Sequence, residues 1–104
     1  MTREDIKALV LSVDPEAKHF IASKKGDAFT VWGEYERSDM VADDRQDYGW
    51  KFEIDRYTTD DEDEIAKQIE QALIDHPGVI VNSYRIGYDP KAGYIRHVFD
   101  CEGI

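Results

Sequence analysis

The chain is predicted to be α+β, with a mainly antiparallel sheet and two helices packed on one face. Three observations point there. Two segments repeat apolar residues at the 3.6-residue helical period. One segment, Gly49–Thr58, alternates apolar and polar residues with the period of a half-covered strand. The last quarter of the chain carries two strand-like runs across a Pro90-Lys91-Ala92-Gly93 turn, the pattern of a β-hairpin. The predicted order is α-β-β-β-α-β-β.

The elements follow in chain order. Thr2 can cap a helix, and Glu4 and Asp5 suit its positive N-terminal end. Ile6, Leu9, Val10 and Val13 form one stripe. Asp14-Pro15 should end the helix, because proline disfavours helical geometry in the residue before it; the first helix is therefore Arg3–Val13. His19–Ala22 is read as a short strand and Ser23–Asp27 as a turn. Ala28–Arg37 alternates, with Phe29, Val31 and Tyr35 on one side and Thr30, Trp32 and Glu34 on the other. Gly33 within it suggests a bulge or a close backbone approach.

Ser38–Asp47 holds four aspartates and few large apolar groups. It reads as a loop, or as a hairpin arm projecting from the sheet. In Gly49–Thr58, Trp50, Phe52 and Ile54 face one way, and Lys51, Glu53, Asp55 and Tyr57 the other. Thr59 or Asp60 is expected to cap the second helix. Ile65, Ile69, Ala72, Leu73 and His76 keep its period, and Pro77-Gly78 stops it. Val79–Asp89 and Tyr94–Glu102 complete the chain as the terminal hairpin. Ile6, Leu9, Val10, Trp50, Phe52, Ile54, Ile65, Ile69 and Leu73 are the expected core.

Size and composition bound the function. The 104 residues make one domain, 1–104. With 41% hydrophobic and 35% charged residues, the chain should fold around a single core without staples. Its net charge of -10 opposes a grip on nucleic acid or an anionic membrane. The one cysteine, Cys101, excludes an internal disulfide. No run approaches the ~20 apolar residues of a membrane helix, and MTREDIKALVLSVD does not read as a secretory signal.

Each candidate for chemistry has a plainer explanation. The acids Asp60–Glu64 complement a helix dipole and lack the spacing of a calcium loop. Asp43, Asp44, Asp47, Glu53 and Asp55 could be imagined as a two-metal nuclease site, but alternating charge is usual on a solvent-facing strand. His19, His76 and His97 form no ligand-like pair. Cys101 reads as a small buried hydrophobe. We therefore expect no enzyme activity, no catalytic or metal-binding residue and no cofactor. The aromatic residues Trp32, Tyr35, Tyr48, Tyr57, Tyr84, Tyr88 and Tyr94 exceed what one small core can hide. Tyrosine and tryptophan favour protein interfaces, since they bury much area and keep a polar tip.

The stretch FTVWGEYERSDMVADDRQDYGWKFEIDRYTTDDEDEIAKQIEQAL resembles a family of small phage and prophage proteins, the tail terminators or tail completion proteins. The matching residues are Tyr35, Ser38-Asp39, Ala42-Asp43, Ile54, Tyr57-Thr58 and Glu64 to Leu73. The opening MTREDIKALVLSV is similar to the family's first helix, so the resemblance covers most of the chain. It implies a compact α+β subunit in a ring, usually a hexamer, that caps the tail tube and joins it to the head. The implied partners are other copies of the chain, the tail-tube protein and the head connector or closure protein, with DNA only passing through the lumen and no membrane. The implied location is the host cytoplasm during assembly and then the virion neck. Asp39, Met40, Val41, Ala42, Asp43, Asp44, Arg45, Gln46 and Asp47 become the candidate assembly loop. Rival readings are another neck component such as a head-closure protein, a small metal-dependent nuclease, and a monomeric regulatory binding module.

Overall fold

The computed structural model describes residues 1–21, 26–42 and 45–104, with backbone alone for residues 38–42 and 45–48. It is an α+β fold: α1 (Arg3–Val13), β1 (Lys18–His19), β2 (Ala28–Ala42), β3 (Arg45–Thr58), α2 (Glu64–Asp75), β4 (Val79–Asp89) and β5 (Tyr94–Gly103). The five strands lie in the order β1-β2-β3-β5-β4. All neighbours are antiparallel except β1, which runs parallel to β2 through Lys18↔Val31 and His19↔Trp32.

The first helix begins as its sequence requires. Thr2 Oγ1 accepts the Asp5 amide while Asp5 Oδ2 accepts the Thr2 amide, a reciprocal cap that satisfies two otherwise orphaned donors. The second helix differs from expectation at its start. Its cap is Asp63, not Thr59 or Asp60. Asp63 Oδ2 accepts the Ala66 amide. Thr58 and Asp60 instead hold the preceding turn, accepting the amides of Asp60 and Glu62. Three of the five adjacent acids are aspartates that can cap a helix, and geometry selects the one whose carboxylate also meets Arg56.

The core lies between the helices and one sheet face. Ile6 and Val10 of α1 and Ile69 and Leu73 of α2 pack on Trp32, Phe52, Ile54, Phe99 and Cys101. Leu9, Trp50 and Ile65 are half-buried at its margin. The expected faces of β2 and β3 hold, because Trp32 pairs with Ile54, and Ile54 with Phe99, across three strands. Two charged groups share this covered face and tie the layers together. Arg56 bonds Asp63 at the start of α2, Asp14 at the end of α1 and Thr30 on β2. Glu34 of β2 accepts hydrogen bonds from Arg3 of α1, at 2.6 and 2.9 Å, and pairs with His19 of β1 at 3.0 Å. Burial opposes the Glu34 charge, but the bonds from His19 and Arg3 outweigh it and hold this carboxyl below its ordinary value.

The segment 38–47 takes the hairpin-arm form. Ser38↔Gly49, Met40↔Asp47, Val41↔Gln46 and Ala42↔Arg45 continue the β2–β3 ladder. The β3–β5 ladder stops at Trp50↔Gly103, so among the described residues these rungs have no third strand beside them. The chain is accordingly elongated, 50 × 25 × 22 Å.

Candidate interaction surface

Among the described residues, no helix lies on the sheet's second face, and strand alternation decides what it displays. From β2 come Phe29, Val31 and Tyr35; from β3, Glu53, Asp55 and Tyr57; from β5, Tyr94, Arg96, Val98 and Asp100. Two open depressions mark this face, of about 480 and 420 Å³.

The larger depression is acidic, lined by Phe20, Tyr35, Glu53, Asp55 and Asp100 among others. Tyr35 is the extra residue where the β2–β3 register shifts between Glu34 and Glu36. Its hydroxyl donates to Asp100 Oδ1 at 2.6 Å. That bond to a carboxylate, with burial and the nearby acids, pushes the Tyr35 hydroxyl up to about 12. Asp55 Oδ2 accepts from Arg96 at 2.7 Å, while its Oδ1 is buried with no partner among the described residues. Glu53 is pushed above the ordinary carboxylate range, first by burial and then by the charge of Asp55.

The smaller depression is aromatic and basic, with Tyr57, Tyr94, Arg85 and Arg96 in its lining. Phe29 and Tyr57 stack at 4.6 Å, Tyr94 meets both edge-on, and the Arg96 guanidinium lies 5.6 Å above the Tyr57 ring. The face is thus divided, acidic towards β2 and basic towards β4.

The expected site residues fall as follows. Asp39, Met40, Val41, Ala42, Arg45, Gln46 and Asp47 lie on the arm, whereas Asp43 and Asp44 lie outside the described residues. Glu53 and Asp55 stand together on the uncovered face, joined there by Asp100 of β5. Arg96 and Tyr35 engage two of these three carboxylates. Among the described residues, no group of three His, Cys, Asp or Glu side chains is arranged to hold a metal ion. Cys101 is fully buried, and burial pushes its thiol up to about 12, where it stays a protonated hydrophobe at neutral pH. His97, on the same strand face, bonds the Tyr84 hydroxyl at 2.7 Å.

Sequence reasoning missed one corner. Phe20 sits at the outer margin of β1 with a backbone φ of 65°, a left-handed conformation rare for a bulky residue. Its amide donates to the Trp32 carbonyl at 2.7 Å, and its ring lies against Gly33. A Cβ on Gly33 would come within 2.5 Å of that ring. Gly33 therefore marks a close approach, and the bulge falls two residues later. The glycine was the signal; its visitor could not be named without the fold.

Among the described residues no helix is long and apolar enough to cross a membrane. No protein-family model matches the chain, and no curated protein matches it.

Proposed function

We propose that this chain is an assembly subunit of the neck of a long-tailed phage, a tail terminator that rings the end of the tail tube and joins it to the head. The sequence resemblance around Tyr35, Ser38-Asp39, Tyr57-Thr58 and Glu64–Leu73 supplies the phage part of this reading. The structural observation that best supports an assembling subunit is the arm. A hairpin that extends past the rest of its own sheet adds little to its own core, yet offers unpaired backbone to a neighbour. The uncovered face, with half-buried tyrosines and opposite charges side by side, suits protein contact for the same reason.

The reading asks for no chemistry from the chain. Other copies, the tail-tube protein and a connector or closure protein are its partners, and DNA only passes through. An acidic lumen wall suits passage, because a -10 subunit repels a phosphate backbone. Tail tubes are the direct test. The purified protein, added to tubes and viewed by electron microscopy, is expected to form a ring on one end and to stop growth. A protein that stays monomeric by light scattering at every salt and concentration, and caps no tube, overturns the reading. Binding to the head side alone would place it in the closure layer instead.

A further inference from the structure

Large apolar side chains are exposed at both outer margins of the sheet. Of the ten such residues among those described, five (Ile80, Val81, Tyr84, Ile86 and Tyr88) lie on β4, and two (Phe20 and Ile21) lie at the β1 margin. Among the described residues, β4 is an eleven-residue edge strand with β5 on one side only. Natural edges of this length are usually guarded by lysine, proline or an inward charge. β4 has none of these guards between Val79 and Tyr88 except Arg85, and its bulge near Asn82 leaves Ser83–Asp89 regular. The two margins stand four strand spacings apart, about 19 Å, so one copy cannot cover its own.

Charge separates the margins as well. Exposed Lys18 belongs to β1 itself. Beside β4 stands Glu70 of α2, close enough for its charge to act on Tyr84. Phe20 adds a further sign of use: a strained backbone holds an aromatic ring that is 55% exposed.

We infer that the β4 edge of one copy receives the Phe20–Ile21 corner of the next. The contact is head-to-tail, apolar at its centre, with Lys18 of one copy beside Glu70 of the other. A head-to-tail contact between unlike patches closes into a ring when its rotation permits, so this inference rests on the ring reading above and supplies the surface that would build it.

Cross-linking tests the contact in the full chain. Ile21→Cys and Ile86→Cys are prepared separately and mildly oxidised alone and mixed; buried Cys101 stays silent. Cross-linked dimers are expected only in the mixture, and a ladder of multimers from the double variant. Ile86→Cys that links to itself would show two β4 strands paired about a two-fold axis and overturn the proposal. Gly33→Ala provides a second arm, since it displaces the Phe20 ring without touching β4. With an unchanged circular dichroism spectrum, it should weaken association by about tenfold or more, a loss of one hot-spot contact. Rings that persist unchanged in Gly33→Ala and Phe20→Ser, without mixed cross-links, sink this contact but leave the neck assignment standing. A monomer that also caps no tube ends both.

Discussion

At the scale of single residues, the covered face of the sheet decides stability. Phe52 is fully buried between both helices and β5. Its truncation to Ala should cost ~3–5 kcal/mol, measured by urea unfolding, because transfer and cavity terms add. Arg56 matters for a different reason. Its side chain is 8% exposed and faces Asp63 and Asp14, which are nearly as buried. Arg56→Ala should destabilise by roughly 3–5 kcal/mol, the cost of leaving carboxylates uncompensated, whereas Arg56→Met with both aspartates made Asn should recover much of it. Several carboxylates carry a pH dependence. Glu34 and Asp63 are held below their ordinary values of 4.5 and 3.8 in the fold. The unfolded chain therefore takes up protons first, so their contribution is complete above pH ~5 and disappears as pH falls through the folded values. Glu53 has the opposite sign, since its folded value is raised. Glu53→Gln should raise the melting temperature at pH 7 and lose that advantage near pH 3. An equal melting temperature at pH 7 would show that the Arg85 pairing at 4.0 Å offsets the burial of the charge.

Individual elements show what sequence pattern conveys and what it omits. Arg3–Val13 was legible to the residue, because a capping Thr, a 3.6-residue stripe and Asp-Pro coincide there. Val79–Asp89 was equally clear, since β-branched and aromatic residues end at a Pro–Gly turn in which Gly93 has φ 78°. The arm left two readings open. Its strands carry aspartates and no alternating apolar face, and pairing there comes from backbone bonds that continue a ladder begun in the core. The acidic depression was not legible as a unit, because Tyr35, Glu53, Asp55 and Asp100 meet only once β5 inserts beside β3. The arm makes its own prediction. Replacing Met40–Asp47 by Asn-Gly would close the hairpin after Asp39↔Tyr48 with a two-residue turn. The melting temperature should change by only a few degrees, because the core lies elsewhere, while on the proposed neck role tail joining in a phage carrying the change should fail. Normal tails joined to heads would remove the arm from the assembly surface.

For the molecule as a whole, charge would set the terms of the proposed self-association. Copies of net charge -10 repel one another, and salt shortens that repulsion to ~8 Å near physiological ionic strength. Self-association measured by light scattering should therefore strengthen between low and moderate salt, the reverse of a protein that grips nucleic acid. Weakening with salt would mean that local pairs such as Lys18 with Glu70 outweigh the net charge.

The strand order β1-β2-β3-β5-β4 carries a consequence for the route to this fold. Apart from the short β1, the sheet is two hairpins, β2–β3 and β4–β5, joined along the single seam from Thr58↔Ile95 to Trp50↔Gly103. Each hairpin closes a short loop and can form in microseconds, but the seam joins residues far apart in sequence and must close over α2. Phe52, Ile54 and Phe99 lie on that seam and share one core with Ile6, Val10, Ile69 and Leu73 of the helices. Substitutions there should slow folding, whereas changes in the arm should act mainly on unfolding or on neither rate. Until the seam closes, β3 and β5 are themselves open edges, so the half-folded chain is the form most exposed to aggregation.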